Sequence, residues 1–312
     1  MEESLPVENC WFLTGATAVG KTQVGLLLAE KLGAEILSLD SMAIYRGMDI
    51  GTAKPTAEQQ AVLPHHLIDI ADPDEDYSIE RYLKAAHAKI TEVAERGRQV
   101  LFVGGTPLYL KALLRGLSAG PPANWQLREE IEAEVAEVGT QGLYERLEQL
   151  DPLAASQIHP HDTRRLIRAV EVFRITGEPI SHHQLQFEEG RAAEDCRVFV
   201  LRRNREEQHE RINQRVDAMI ERGLVEEVRQ LTAGGSQLGR TASQAVGYRE
   251  VLDYLAGGDR ETMVADVKTR TRRFAKRQGT WFRSLGECRF VDLVGEVAPE
   301  EIADQIVTRA AQ

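Results

Sequence analysis

Apolar and polar positions at the start of the chain follow the order typical of a strand, a loop, a helix and a second strand. The run WFLTG, residues 11–15, is short and apolar. Apolar residues then recur at helical spacing from Val24 to Leu32 and stop at Gly33, a residue that suits the left-handed end of a helix. The run AEILSLD, residues 34–40, predicts the second strand.

The same alternation continues further along the chain. Residues 77–97 have the spacing of an amphipathic helix, and RQVLFVGGT, residues 98–106, is typical of a buried strand that ends in glycines. Strands that alternate with helices predict an α/β fold in which a parallel sheet is flanked by helices. Ligands of such sheets bind beyond the carboxyl ends of the strands. We therefore expect the first loop, Asp40 and Thr106 at one edge of the sheet.

The pattern then changes to one that is almost wholly helical. LSAGPPANW, residues 117–125, has the composition of a linker, and residues 126–190 have helical spacing. CRVFVLRRN, residues 196–204, predicts a strand that returns to the sheet, and long helices follow. The predicted domains are a first part of the core, 1–117, a helical insertion domain, 118–195, and the return strand with the C-terminal helices, 196–312.

Composition narrows the class of protein. Of the 312 residues 42% are hydrophobic, enough for a full core, but no stretch reaches the roughly 20 apolar residues of a membrane span. The three scattered cysteines, Cys10, Cys196 and Cys288, indicate a reduced cytoplasm rather than a disulfide framework or a zinc site. The formal net charge of −11 argues against a nucleic-acid binder unless basic residues are concentrated locally.

Residues 15–22, GATAVGKT, match the phosphate-loop pattern G-x-x-x-x-G-K-[ST] between a predicted strand and a predicted helix. In this pattern backbone N–H groups and the positive end of the helix face an anion, Lys21 reaches phosphate oxygens, and the Thr22 hydroxyl suits Mg²⁺. The motif predicts a fold like that of the P-loop NTPases and a site for a diphosphate with Mg²⁺. The predicted diphosphate-binding loop consists of Gly15, Ala16, Thr17, Ala18, Val19, Gly20, Lys21 and Thr22.

The residues after the later strands do not fit an ordinary ATPase. Many such enzymes hold Mg²⁺ with an aspartate after an apolar run, whereas VLFV here ends in Gly104, Gly105 and Thr106. A hydroxyl and backbone amides at this place suit an anion oxygen better than a metal ion. Asp40 could be a general base, a water-mediated Mg²⁺ ligand, or only a helix cap or turn former, and its position does not separate these roles.

Six segments of the chain occur together, in this order, in one enzyme family: GATAVGKT, LDSMAIYRGMDIGTAKP, HHLID, VGGTPLYLKALLRGL, DTRRLIRAVEV and QAVGYRE. They closely resemble tRNA dimethylallyltransferases over residues 11–285, and the absence of an added zinc finger resembles the bacterial form. The resemblance implies that the donor is dimethylallyl diphosphate. It also implies that the acceptor is N6 of adenosine 37 in the anticodon stem-loop of tRNA.

The resemblance assigns roles to single residues. Asp40 matches the family's catalytic aspartate and would be the general base. Lys21, Thr106 and Mg²⁺ near Thr22 would stabilise the departing diphosphate, together with Arg215, which without the resemblance is a solvated helix arginine. The positions implied to contact tRNA are Asp40, Ser41, Met42, Ala43, Thr106, Arg128, Arg164, Arg165, Leu166, Ile167, Arg168, Gln244, Ala245, Val246, Gly247, Tyr248 and Arg249.

Two basic helices support an RNA partner. Residues 268–283 contain seven lysines and arginines and no acid, with Arg270, Arg273 and Arg277 on one predicted face. A charge run is usually a solvated face, but two acid-poor basic helices, the other at 162–174, in an acidic chain predict contacts with RNA phosphates. Tyr248 could stack on a base or be a core residue, and the sequence leaves both open.

Departures from the family and rival functions also follow from the sequence. Ala16 and Val19 replace a proline and a serine of the usual loop, and Asn124 replaces a common aspartate. The histidine pairs 65–66 and 159–161 have poor metal-ligand spacing, so no transition metal is assigned. A P-loop kinase, an adenylate prenyltransferase acting on free AMP, and a non-catalytic RNA-binding module remain alternatives. A monomer without a membrane partner is expected.

Overall fold

The computed structural model describes residues 7–116, 120–184 and 190–311. Residues 117–119 of the predicted linker and 185–189 of the predicted insertion lie outside the described part. Up to residue 115, strands and helices alternate: β1 (Trp11–Gly15), α1 (Lys21–Leu32), β2 (Ala34–Leu39), α2 (Ala57–Val62), β3 (His65–His66), α3 (Ile79–Glu95), β4 (Gln99–Gly104) and α4 (Pro107–Arg115). A helical stretch follows: α5 (Trp125–Leu150), α6 (Pro152–Gln157), α7 (Thr163–Thr176) and α8 (Ile180–Gln184). The remaining elements are β5 (Val198–Arg203), α9 (Arg205–Glu221), α10 (Leu224–Leu231), α11 (Tyr248–Leu255), α12 (Arg260–Arg283), β6 (Cys288–Leu293) and α13 (Pro299–Ala310).

The sheet brings the loops of interest to one edge. Its six strands are parallel, in the order β3-β2-β4-β1-β5-β6. Phe12 of β1 pairs with Phe102 of β4 on one side and with Val198 of β5 on the other. Because β1, β4 and β2 are neighbours and parallel, the loops after them leave the same edge of the sheet. The predicted parallel sheet flanked by helices is confirmed.

Two apolar cores cover the two faces of the sheet. Side chains alternate along a strand, so Leu13 joins a core that includes residues of α1 and α13, while Phe12 joins one that includes residues of α3 and α4. Helix α1 begins at Lys21 and is closed by Gly33 in the left-handed conformation. The packing of α1 therefore fixes the phosphate loop to the end of β1. No helix in the described ranges is both long and apolar enough to cross a membrane.

The chain forms two compact units, Met1–Leu114 with Arg191–Gln312, and Arg115–Gly190. The sheet lies in the first unit. The second unit has its own apolar core, which includes Ile131, Leu143 and Leu166. Its helix α5 bends at Gly139, whose φ of 74° is not helical. The predicted domain boundaries at 118 and 195 stay a prediction.

Candidate active site

The phosphate loop turns sharply between β1 and α1. Gly15 and Gly20 have φ values of 140° and 107°, and Ala18 has 65°. A Cβ on Gly15 would lie 2.4 Å from the carbonyl oxygen of Leu201, so only glycine fits against β5. Among the described residues, the N–H groups of Ala18, Val19 and Gly20 find no hydrogen-bond acceptor. These amides, at the start of a helix, are available to an anion.

Side chains from two helices hold the loop from outside. Gln208 Nε2 of α9 donates to the Thr17 carbonyl at 3.1 Å, and Arg211 Nε of α9 donates to the Ala18 carbonyl at 2.9 Å. The N–H of Thr17 donates to Gln278 Oε1 of α12 at 2.9 Å. These bonds fix the shape of the loop before any ligand binds, which is the arrangement expected of a preorganised anion site.

Lys21 is enclosed by its own loop. Its Nζ donates to the carbonyl oxygens of Gly15 at 2.9 Å and Ala16 at 2.8 Å. Burial, and then the positive charge of Arg215, lower the pKa of Lys21 to about 7, while Asp40 acts in the opposite direction. A bound diphosphate would favour the ammonium form of Lys21. Binding of an anion would therefore raise the charged fraction of this side chain.

Asp40 follows β2 directly. Its Oδ1 accepts the N–H of Met42 at 2.8 Å and that of Ala43 at 3.3 Å, so Asp40 is a turn former. Its Oδ2 makes no hydrogen bond within the described ranges of the chain. The carboxylate also raises the pKa of both Lys21 and Arg215, because the three charged groups lie close together. Asp40 thus shapes its turn with one oxygen and leaves the other for a donor.

Thr106 connects the turn after Asp40 to the phosphate site. Its Oγ1 accepts the N–H of Ser41 at 3.0 Å and lies 3.4 Å from Ser41 Oγ. The preceding residue, Gly105, borders the phosphate site, since a Cβ there would lie 3.6 Å from Lys21 Nζ. The hydroxyl predicted to contact diphosphate is therefore engaged with Ser41 in this structure.

Arg215 lies on α9 and is partly buried. Burial lowers the pKa of Arg215, the Asp40 carboxylate raises it, and Arg222 lowers it again. Its guanidinium stays charged because its ordinary pKa is so high. It makes no hydrogen bond or ion pair with the rest of the described chain. Arg215 is thus a partly buried cation beside Asp40 with no partner among the described residues. This environment favours an anion-binding role for Arg215 over that of a solvated helix arginine.

Thr22, the predicted Mg²⁺ ligand, is exposed at the second position of α1. Its hydroxyl is a hard oxygen donor, and no cluster of histidine, cysteine or acidic residues suited to a metal accompanies it in the described residues. Mg²⁺ commonly binds one or two protein oxygens together with the phosphates of a substrate. The residues present therefore fit Mg²⁺ delivered with a diphosphate.

Two polar clusters hold residues 45–54, and neither was predicted from the sequence. The Glu227 carboxylate of α10 accepts the N–H groups of residues 49–51 at 3.0, 2.7 and 3.2 Å and the Tyr248 hydroxyl at 2.5 Å. Lys54 is 8% exposed and donates to two carboxylates and a carbonyl. In the sequence, a glutamate on an amphipathic helix and a loop lysine look like solvated surface residues, so no signal could have found them.

Tyr248 is a core residue. It is fully buried, and a Cβ on Gly51 would lie 2.4 Å from its ring. A base-stacking role for Tyr248 is therefore wrong, because the ring is enclosed by protein on all sides. Of the neighbouring predicted tRNA contacts, Ala245 is buried as well, whereas Gln244 and Arg249 are exposed.

In the second unit, two predicted tRNA contacts have an internal partner. The fully buried Glu171 carboxylate accepts two hydrogen bonds from Arg128 at 3.0 Å and one from Arg168 at 2.6 Å. It also accepts the N–H of Asn124 at 2.7 Å, and the Asn124 side chain caps α5. Arg128 and Arg168 thus neutralise a buried carboxylate, a role that a list of charges along the sequence does not reveal.

Burial divides the rest of that predicted contact segment. Arg164 and Arg165 are exposed on α7, whereas Leu166 and Ile167 lie in the core of the unit. The Leu166 and Ile167 side chains therefore support the fold of the unit, and their implied contact with tRNA stays a prediction. Successive residues of a helix point in different directions, so residues 164–168 do not form one continuous surface.

The basic residues of α12 fall into two groups. Lys268 and Arg270 form ion pairs with carboxylates on α9 and α11. Arg273 and Arg277 are exposed and make no ion pair with other described residues. Phe282 of the same helix is fully buried. Together with Lys276 and Arg283, which are also exposed, Arg273 and Arg277 form the part of α12 that a polyanion could contact.

We expect Glu171→Gln to destabilise the protein by about 3 kcal/mol, because a buried carboxylate that neutralises two arginines is lost. Burial would raise the pKa of Glu171, but hydrogen bonds from Arg128, Arg168 and the Asn124 amide hold it below its ordinary value. The folded pKa lies below the unfolded one, so this stabilisation is present above the ordinary glutamate pKa. It is lost as the pH falls through the lowered folded pKa.

Urea unfolding of wild type and Glu171→Gln at neutral pH, and again at about pH 3, measures this effect. The difference between them should shrink at low pH. Glu129→Gln, at an exposed position of α5, is the control and should unfold like wild type. Equal urea midpoints for Glu171→Gln and wild type at neutral pH would show that the Glu171 carboxylate does not stabilise the protein.

Comparison with known proteins agrees with these features. A family model described as IPP transferase matches residues 43–285. The tRNA dimethylallyltransferase of Rhodopirellula baltica is 50% identical over 286 residues, 89% of this chain and 86% of that protein. That of Pelotomaculum thermopropionicum is 46% identical over 296 residues, 94% of each chain.

Solved structures give the same result. The tRNA isopentenylpyrophosphate transferase of Bacillus halodurans has a TM-score of 0.69 at 39% identity and covers 97% of each chain. A eukaryotic dimethylallyltransferase acting on tRNA has a TM-score of 0.75 at 26% identity and covers 97% of this chain and 77% of its own. The predicted resemblance is confirmed, and the chain belongs to the IPP transferase family, the family of tRNA dimethylallyltransferases.

Proposed function

We propose that the protein transfers a dimethylallyl group from dimethylallyl diphosphate to N6 of adenosine 37 in the tRNA anticodon loop and releases diphosphate. The similar proteins are tRNA dimethylallyltransferases, and one solved relative acts on tRNA. The observation that carries the proposal is the closeness of Lys21, Arg215 and Asp40 at one edge of the sheet. Lys21 and Arg215 would stabilise the charge of a departing diphosphate, and the Asp40 carboxylate would accept a proton.

The proton chemistry assigns Asp40 as general base. In the transfer the N6–C1 bond forms, the C1–O bond of the donor breaks, the diphosphate keeps the electron pair, and N6 loses a proton. The lone pair of the amine is delocalised into the adenine ring, so removal of the proton as the bond forms lowers the barrier. Asp40 Oδ2, which is free of hydrogen bonds in the described chain, would accept that proton.

The leaving group is stabilised on the other side of the reacting carbon. Negative charge grows on the diphosphate, and the backbone amides of residues 18–20, Lys21 and Arg215 would stabilise it. The Thr22 hydroxyl, with oxygens of the diphosphate, would hold Mg²⁺, which adds positive charge to the leaving group when bound. Thr106 supports the same step by holding the turn after Asp40 through Ser41.

The tRNA is proposed to contact exposed basic residues of both units. Adenosine 37 must leave its stack to reach Asp40, at a cost of a few kcal/mol. Contacts with phosphates would offset this cost, and the protein is proposed to act as a monomer in the cytoplasm. The exposed candidates for these contacts are Arg164, Arg165, Arg249, Arg273 and Arg277.

The proposed function is tested by incubating the protein with unmodified tRNA, Mg²⁺ and labelled dimethylallyl diphosphate, followed by nucleoside analysis. We expect label in N6-dimethylallyladenosine at position 37. Parallel reactions with AMP as acceptor and with ATP as donor test the two enzyme alternatives. Transfer to AMP without transfer to tRNA would select the adenylate prenyltransferase, and phosphate transfer from ATP would select the kinase.

We expect the double variant Arg164→Ala/Arg165→Ala to weaken tRNA binding and to make its salt dependence shallower. Each lost phosphate contact should reduce the slope of log affinity against log salt by about 1. Titration of tRNA at several salt concentrations gives the slope. Lys89→Ala, on α3, is the control and should leave it unchanged. A double variant with the wild-type slope would exclude both arginines from the interface.

A further inference from the structure

Gln278 joins the two loops that surround Lys21. It lies on α12 and is 5% exposed. Its Oε1 accepts the N–H of Thr17 in the phosphate loop at 2.9 Å, and its Nε2 donates to the carbonyl of Gly105 at 2.6 Å. Both ends of the buried amide are thus used, one on the loop after β1 and the other on the loop after β4.

Gly105 makes this bridge possible. A Cβ at position 105 would lie 2.7 Å from Gln278 Nε2 and 3.2 Å from the Gly15 carbonyl oxygen. The same Cβ would lie 3.6 Å from Lys21 Nζ. Only a residue without a side chain lets the amide of Gln278 and the ammonium of Lys21 approach the same stretch of backbone.

We propose that Gln278 is a positioning residue for the phosphate site. It holds the phosphate loop against Gly105, so that Lys21 on one loop and Thr106 on the other stay in register around a single diphosphate. It touches no substrate atom and acts through the backbone of Thr17 and Gly105. As a role in allylic transfer this rests on the proposed function, whereas the effect on diphosphate binding does not.

A buried glutamine can also stabilise a fold without affecting a site, and the two roles predict different measurements. A stabilising residue lowers the unfolding midpoint and leaves diphosphate affinity unchanged. A positioning residue changes the affinity for inorganic pyrophosphate with Mg²⁺, and it changes turnover more than the affinity for tRNA. Val93→Ala, which opens a cavity in the core around α3, is the matched control for stability alone.

The test uses Gln278→Met, which removes both hydrogen bonds at similar size, and Gln278→Glu, which keeps the acceptor for Thr17. We expect Gln278→Met to lower pyrophosphate affinity and kcat by about tenfold each, the scale of one or two lost hydrogen bonds, with tRNA affinity within about twofold. Gln278→Glu places a carboxylate oxygen against the Gly105 carbonyl. The loss of pyrophosphate affinity and kcat in Gln278→Glu should therefore become smaller as the pH falls, because the protonated carboxyl group can donate a hydrogen bond.

Gly105→Ala offers an independent approach, because its methyl group would displace the same amide. We expect it to have the same effect as Gln278→Met in wild type. In a Gln278→Ala background the effect should be smaller, because the 2.7 Å contact with the amide is gone and only the 3.2 Å contact with the Gly15 carbonyl oxygen remains. The proposal would be overturned if the Gln278 variants bound pyrophosphate as tightly as Val93→Ala does. It would also be overturned if the effects of substitutions at positions 105 and 278 were additive. If wild type binds pyrophosphate but transfers no prenyl group, the proposed function fails while the positioning role remains measurable.

Discussion

Asp40→Asn should lower kcat by a factor of at least about 100, the range seen when a general base is removed. The asparagine side-chain oxygen can still accept the N–H groups of Met42 and Ala43, so the turn that Oδ1 shapes in wild type is kept. What is lost is the oxygen that would take the proton from N6. Steady-state kinetics with tRNA and dimethylallyl diphosphate measure the loss, and it should appear in kcat rather than in KM for either substrate.

Two further measurements isolate the chemistry of Asp40. The tRNA affinity of Asp40→Asn should equal that of wild type. Kept affinity together with lost turnover of an active wild type would exclude a protein that only binds RNA. Asp72→Asn is the matched control, since Asp72 is exposed and forms an ion pair with Arg46 at the surface. Its activity should stay at the wild-type level. An Asp40→Asn enzyme with kcat within a factor of about 3 of wild type would show that another group accepts the proton.

Lys21→Ala should reduce kcat/KM for the donor by a factor of about 100 to 1,000, as expected when a preorganised donor to a developing negative charge is removed. The cause is the loss of the ammonium that now lies among the carbonyls of Gly15 and Ala16 and beside Gly105. Inorganic pyrophosphate with Mg²⁺ should bind more weakly by a similar factor, measured by calorimetry. Unchanged pyrophosphate binding would mean that the loop is not the phosphate site.

The pH dependence of pyrophosphate binding gives a second measure of Lys21. Its pKa in the free protein is about 7, and bound diphosphate favours the charged form. Below pH 7 the ammonium is therefore already present, whereas above pH 7 binding must take up a proton and affinity falls as the pH rises. Lys21→Arg keeps its charge throughout and should bind with a flatter profile. The ionisation of pyrophosphate itself affects wild type and Lys21→Arg equally. The difference between their pH profiles therefore reports the titration of Lys21.

Local patterns predicted the parts of the site that lie next to each other in sequence. The phosphate-loop motif located Gly15 to Thr22 at the start of α1, and the end of an apolar run located Asp40 after β2. These features depend on short-range geometry, namely backbone turns and the period of a strand or helix. The parallel sheet followed from the alternation of strands and helices, but its strand order, with β4 between β1 and β2, did not.

Contacts between distant residues could not be predicted in the same way. Gln278 and Thr17 are 261 residues apart, and Glu227 and Ile50 are 177 apart. Gln278 and Glu227 are polar residues on helices, and one sequence alone does not distinguish them from solvated residues. Burial decides the roles of such residues, and burial depends on how helices pack rather than on the local pattern.

The same limit applies to the implied tRNA contacts, whose burial and internal partners the sequence did not reveal. Tyr248, Leu166 and Ile167 belong to matching segments, yet their side chains lie in the cores of the two units. Arg128 and Arg168 have the charge that RNA requires, but both donate to Glu171. A family motif therefore marks a segment, and only the structure separates its exposed side chains from those that support the fold.

The most direct test of the mechanism is a crystal structure of the protein with tRNA anticodon stem-loop, Mg²⁺ and a non-reactive thio analogue of dimethylallyl diphosphate. We expect the diphosphate in the loop of residues 15–22, in contact with Lys21 and Arg215. C1 should face N6 of adenosine 37, and N6 should lie within hydrogen-bond reach of Asp40 Oδ2. A diphosphate bound elsewhere, or an N6 group beyond the reach of Asp40, would contradict both the leaving-group site and the general base.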